Sequence, residues 1–219
     1  YSAKIIQGPA AFIEPNVVKV GATLITGERI IIATGSRPIF PEAWKKFSDL
    51  ILTTEDMVEA EDLPPRMAVI GLGPSGLEYA QALSRLGVEV TGFQSSAAVA
   101  RLSDPEVNKA VIKALQQDFP MVFGHQVEIE RHDEGLLLRA GETATQVDKV
   151  LLAIGRQPNI DGLGLEKIGI RINERGYPDF SSQTMQVADL PIFIAGDANG
   201  DHQILHEAID EGHIAGYNA

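Results

Sequence analysis

Cysteine is absent from all 219 residues. No disulfide, thiolate nucleophile, cysteine-ligated zinc or iron–sulfur cluster can come from this chain. A chain without disulfides suits a reducing cytoplasm. Positive charge is scarce as well: 18 Lys and Arg stand against 30 Asp and Glu, a formal net charge of −12. Affinity for phosphate backbones comes mostly from Lys and Arg, so no nucleic-acid partner is expected. Long apolar runs are missing too. The longest, residues 29–33 and 150–154, have the length of buried strands, and neither a membrane span nor a signal peptide is read.

What is present is enough to build a core. Hydrophobic residues make up 44% and charged residues 22%, which argues against disorder. The length allows one large domain or two small ones. The first residue is Tyr1, strand-like text begins by Lys4, and residues 204–219 read as a helix without a nearby stop signal. These features predict a piece of a longer protein.

Along the first third, short apolar runs at residues 4–7, 11–14, 17–20, 23–26 and 29–33 alternate with turn residues such as Gly8-Pro9 and Pro15-Asn16. That punctuation predicts an antiparallel meander. A linker follows, with Pro38, Pro41, Pro64 and Pro65 and an acidic stretch at 55–61. From Arg66 the pattern changes. Residues 67–70 read as a buried strand, 74–86 as a helix and 88–93 as a second strand. Asp104 and Pro105 then open a helix, as N-cap and first helical residue. Its stripe is Val107, Ala110, Val111, Ala114 and Leu115. Further strands are expected at 121–123, 126–131, 136–139 and 149–154. This order implies an α/β fold with a mostly parallel, doubly wound sheet.

Gly71-Leu72-Gly73-Pro74-Ser75-Gly76 is a G-x-G-x-x-G loop. It follows a strand, opens a helix and lies within a strand–helix–strand unit, the context that dinucleotide binding requires. Gly71 would allow the tight turn, Gly73 a close approach of pyrophosphate, and Gly76 tight packing of helix on strand. Pro74 costs little where an N–H would be orphaned. The remaining amides and the helix dipole suit an anion. The plainer alternative is a joint that uses glycine only to pack. At the end of the second strand a carboxylate usually takes the ribose hydroxyl of NAD, and a nearby Arg the 2′-phosphate of NADP. Here Gln94 and Ser95 stand there, and the first basic residue is Arg101. NAD is therefore expected, with NADP left open, and Gln94→Glu is expected to sharpen the preference for NADH.

The chain resembles the pyridine nucleotide–disulfide oxidoreductases, in particular their dihydrolipoamide dehydrogenase and glutathione reductase branch. The resemblance spans nearly all of it. It runs through Ile32-Ala-Thr-Gly-Ser-Arg-Pro38, Thr53-Thr-Glu-Asp56, Leu63-Pro64 and the loop region from Val69 to Glu78. It continues through Asp104-Pro-Glu-Val107, Ala153-Ile-Gly-Arg-Gln-Pro-Asn159 and Leu163-Gly-Leu-Glu-Lys167. Phe193-Ile-Ala-Gly-Asp197 and Leu205-His-Glu-Ala208 complete it. The resemblance implies a Rossmann-like NAD(P)-binding domain at 40–157, flanked by two partial segments of an FAD-binding domain at 1–39 and 158–219. Such proteins begin with an FAD-binding βαβ unit and a cysteine pair, and end with a dimerisation domain bearing a His–Glu pair. None of these is read here. The implied parent is an FAD-dependent, NAD(P)H-linked homodimer, and this portion is expected to be inactive by itself, with no catalytic residue of its own.

The resemblance also assigns residues. Gly71, Gly73, Pro74, Ser75, Gly76, Glu78, Gln94, Ser95, Ala153, Ile154 and Gly155 would meet NAD(P). Ala33, Thr34, Gly35, Gly196 and Asp197 would meet FAD. Three departures stand out: Pro74 where relatives carry a bulky residue near the nicotinamide, Ser75 for Ile or Ala, and Gln94 for Glu. Arg156 and Pro158 are read as turning the chain back. His202, His206 and His213 cluster with acids near the last helix, but no motif fixes a third ligand, so no metal is expected. Two alternatives stay open: an NADH oxidase or ferredoxin reductase relative, or a non-catalytic nucleotide-binding module.

Overall fold

The computed structural model describes residues 3–219; Tyr1 and Ser2, part of the expected 1–39 segment, lie outside the described residues. The chain divides into two compact units, one made of Tyr1–Arg37 with Arg156–Ala219, the other of Pro38–Gly155. The breaks thus fall at 37/38 and 155/156, against 39/40 and 157/158 expected from the sequence.

The two-segment unit opens with a meander of β1 (Ala10–Glu14), β2 (Val17–Val20) and β3 (Thr23–Thr26), paired antiparallel. Two of the five expected meander strands depart from this. Residues 4–7 form no strand, and Ile5 is exposed. β4 (Ile30–Ile32) leaves the meander and pairs parallel with Ile192–Ile194. Ile32 is buried while Ile31 stays exposed, and the partner strand is too distant in sequence for local pattern to reveal. β5 (Ser36–Pro38) closes this segment.

Residues 38–65, expected to be a linker, hold β6 (Ile51–Thr53) and α1 (Thr54–Val58), which opens on a capping box between Thr53 and Asp56. Then come β7 (Arg66–Ile70), α2 (Pro74–Arg85), β8 (Glu89–Gln94), α3 (Pro105–Leu115) and β9 (Met121–Phe123). Asp104 caps α3 as expected, accepting from the amides of Glu106 and Val107. In the stripe of α3, Val111 and Leu115 pack inward while Val107 stays exposed. β10 (Glu128–His132), β11 (Gly135–Ala140), β12 (Thr143–Val147) and β13 (Lys149–Leu152) complete this unit.

Its main sheet has five parallel strands in the order β6-β13-β7-β8-β9. β7 shows why its text is uniformly apolar. Met67 and Val69 pack on one face with Leu77, Ala80 and Leu83 of α2, while Ala68 and Ile70 pack on the other with Leu136 and Leu138 of β11. A strand buried on both faces has no polar side to show. The sheet is therefore not doubly wound in the expected sense. Helices cover one face, and an antiparallel sheet of β10, β11 and β12 lies against the other. The runs at 126–131 and 136–139, expected in the parallel sheet, form a hairpin in this layer, and β12 is an added strand. Asp133, at φ 52°, turns that hairpin within two residues.

The chain then re-enters the first unit through β14 (Arg156–Pro158), paired with β5, and β15 (Ile192–Ile194), paired with β4. Phe12, Ile32, Ile160, Leu165, Ile192 and Ile194 form its core. The last helix, α4 (Leu205–Asn218), begins one residue later than expected.

Candidate functional site

In the Pro38–Gly155 unit, strand order reverses between β7 and β13, and open α/β sheets bind ligands at the carboxyl ends of strands beside such a reversal. The glycine loop sits there. Gly71 has φ +93°, and a Cβ on it would stand 2.5 Å from the carbonyl oxygen of Ala153, just past β13. A Cβ on Gly76 would collide with the Gly71 carbonyl oxygen. Both glycines are thus demanded by the fold itself. Gly73 differs. Its φ of −65° is open to any residue, and a Cβ there would meet nothing within 4 Å.

Pro74 is the first residue of α2, and Leu77 donates the first helical bond, to Gly73, at 3.0 Å. Among the described residues the amides of Gly73, Ser75 and Gly76 have no internal acceptor, leaving three N–H groups at a helix N-terminus. Glu78 is exposed one turn further along α2, with no ion-pair partner among the described residues. Ala153, Ile154 and Gly155 run past the end of β13, half-buried, with Gly155 at φ +116°.

Gln94 is placed differently from the expectation. Its Oε1 accepts the amide of Leu72 at 2.8 Å, and its Nε2 donates to Ser96 Oγ at 2.8 Å and to the Ala98 carbonyl at 3.1 Å. Gln94, expected to hydrogen-bond a ribose hydroxyl, thus has its amide oxygen on the Leu72 N–H and both of its N–H groups spent inside the chain. Ser95 and Ser96 are exposed beside it.

In the other unit, the parallel pairing of β4 with β15 brings their carboxyl ends together, so residues 33–35 and 195–197 are neighbours. Gly35 and Gly196 both have φ +67°. Asp197 Oδ2 accepts from Ser36 Oγ at 2.6 Å, and Arg156 Nε donates to the same hydroxyl at 2.7 Å. Asn159 ties this turn down, its amide to the Gly35 carbonyl and its Nδ2 to the Thr34 carbonyl. Arg37 bonds Asn159 and pairs with Asp161, whose carboxyl it holds below the usual carboxylate range. Arg156, read from sequence as a chain-turning residue, thus joins Ser36 to Asp197.

Glu211 is a site residue that the sequence reading misses. It is buried on α4, and its Oε2 accepts the Gly196 amide and Asn199 Nδ2, each at 2.7 Å. Nothing in the text separates it from Glu207 and Asp210 nearby. His202 lies ahead of α4 and does not share a helix with His206; each sits beside an adjacent acid. Among the described residues, no group of three His, Asp or Glu could hold a metal, and no helix is long and apolar enough to cross a membrane.

The family model for pyridine nucleotide-disulphide oxidoreductases matches residues 2–212. The chain belongs to that family. Among family relatives, a dihydrolipoyl dehydrogenase of Thermus scotoductus is 33% identical over 99% of this chain and 48% of its own length. A mercuric reductase of Staphylococcus aureus is 31% identical over all of this chain and 41% of its own. The Cu(II) complex of the HOCl-induced flavoprotein disulfide reductase RclA from Escherichia coli superposes with a TM-score of 0.87 at 25% identity. That match covers 96% of this chain and 49% of RclA. LpdA of Mycobacterium tuberculosis shares the fold, with a TM-score of 0.84 at 24% identity over 96% of this chain and 48% of LpdA. The chain spans about half the length of the relatives it matches.

Proposed function

We propose that Pro38–Gly155 binds the pyridine nucleotide of an FAD-dependent disulfide oxidoreductase similar to dihydrolipoamide dehydrogenase, and that the flanking segments are parts of its FAD-binding domain. Gly73 carries the reading. Gly71 and Gly76 are explained by their own fold, whereas nothing among the described residues requires glycine at 73. A missing side chain above three free amides is what a pyrophosphate needs to approach the backbone. Family membership supports the same assignment.

The residues divide the work by position. The amides of Gly73, Ser75 and Gly76 would hold the pyrophosphate. Ser95, exposed beside Gln94, would meet the adenosine end, and Ala153, Ile154 and Gly155 would line the nucleotide beside the sheet's reversal. Glu78 would face the nicotinamide end. For FAD the fit is partial. Ala33, Thr34, Gly35, Gly196 and Asp197 converge on one edge, where Asp197, bonded by Ser36, would meet a polyol hydroxyl. When bound, the two cofactors supply the hydride chemistry, and the chain contributes position and electrostatics. The homodimer, the cytoplasmic setting and the disulfide or dithiol substrate of the whole protein belong to the same proposal.

The test is a titration of this chain with NADH followed by calorimetry. Saturable one-to-one binding is expected, and heat no different from dilution would overturn the assignment.

A further inference from the structure

The loop that carries the glycines is held from beneath at Leu72. Its side chain is fully buried and lies against Gly92, where an added Cβ would stand 3.0 Å from it. Its N–H goes to Gln94 Oε1 at 2.8 Å, and its carbonyl accepts the amide of Ala100 at 2.8 Å. Leu72 is therefore fixed by side chain, donor and acceptor together.

The segment that supplies the second of those bonds, from Ala100, is itself strained. Ala100 and Arg101 follow one another at φ 50° and 59°, a left-handed pair without glycine. Such backbone persists only where its surroundings over-determine it. Gln94 and Asn108 do so. Gln94 Nε2 holds Ser96 Oγ and the Ala98 carbonyl, while Asn108 takes the Val99 amide and donates to the Ala97 carbonyl. The orientation of the Gln94 amide has only one solution. The Leu72 N–H can only donate and the Ala98 carbonyl can only accept.

Resting on the nucleotide reading above, we propose that Gln94 is a positioning residue. It locks the glycine loop to the 95–101 segment, and it does not choose between NADH and NADPH. Choice between the two nucleotides at this position comes from a carboxylate that takes the ribose hydroxyl or a cation that takes the 2′-phosphate. Gln94 carries no charge, and its amide is held by Leu72, Ser96 and Ala98. Glutamate would not reproduce these bonds, since of the two Nε2 partners only the Ser96 hydroxyl could turn to donate to it. A carboxylate would still accept from Leu72, but its second oxygen would face the Ala98 carbonyl with no proton between them. Gln94→Glu should then loosen the loop rather than sharpen a preference, the reverse of the expectation from sequence.

The experiment compares the chain with its Gln94→Glu and Gln94→Ala variants, each titrated with NADH and with NADPH. Both variants should lose about fivefold in affinity for each nucleotide, leaving the NADH-to-NADPH ratio within about twofold of the parent. Amide exchange at Leu72 should quicken in both variants under native conditions, a local readout that stays informative if either variant loses stability. Tighter NADH with weaker NADPH in Gln94→Glu would overturn the proposal, as would unchanged affinities and unchanged Leu72 exchange. Absence of binding by the parent chain would instead sink the nucleotide reading itself.

Discussion

Ser36 Oγ donates to Asp197 Oδ2 at 2.6 Å, although 161 residues separate them in sequence. Arg156 joins the pair, with Nε on the Ser36 hydroxyl and Nη2 on the Ser36 carbonyl. Residues from both segments of one unit thus meet at the carboxyl ends of β4 and β15. Replacing Ser36 with Ala should cost about 1.5–3 kcal/mol, the net worth of a hydrogen bond to a charged group. Urea unfolding of the whole chain would measure it, and an unchanged midpoint would contradict the role.

Glu211 offers a second test. Truncation to Ala strands the Gly196 amide and the Asn199 side chain without an acceptor in a buried site. A loss of about 2–3 kcal/mol is expected. Gln at 211 retains one oxygen able to accept both bonds, so Glu211→Gln should lose clearly less than Glu211→Ala. Equal losses in the two variants would show that the oxygen is not what matters.

Acid should weaken the chain partly through Asp148. The Arg66 guanidinium, bonded at 2.6 Å, holds its carboxyl below the usual range. A carboxyl with a lowered folded value stabilises above its unfolded value of about 4 and loses that contribution as pH falls through the folded value. Asp148→Asn should therefore be less stable than the parent near neutrality, with the gap closing on acidification. A gap that stays constant down to about pH 2 would refute this.

No disulfide chemistry is expected from these 219 residues, because they contain no cysteine. Lipoamide and glutathione assays of the purified chain should show no turnover. Flavin should also be absent, since the chain's one G-x-G-x-x-G loop is the one assigned to the pyridine nucleotide. A stoichiometric yellow preparation would contradict that assignment.

Much of the nucleotide unit is legible in the residues themselves. The order of β7, loop, α2 and β8, the Asp104 cap and the glycine spacing are local patterns, and local patterns survive folding. Partnerships are not legible. β4 reads as one more meander strand because its partner β15 lies in the other segment. The β10–β11 hairpin reads as parallel strands because its apolar face meets the main sheet as a second layer. Gln94 reads as a ligand because residue type and position say nothing about where an amide's donors are spent. Glu211 stays hidden because one buried acid among exposed acids leaves no periodic trace.

The central claim rests on Gly73, and one paired measurement tests it. Gly73→Val should keep the thermal midpoint of the parent to within a few degrees, because its Cβ meets open space and its φ is unstrained. The same variant should lose NADH binding, because its side chain fills the place above the free amides. Retention of parental NADH affinity in a folded Gly73→Val chain would contradict the account.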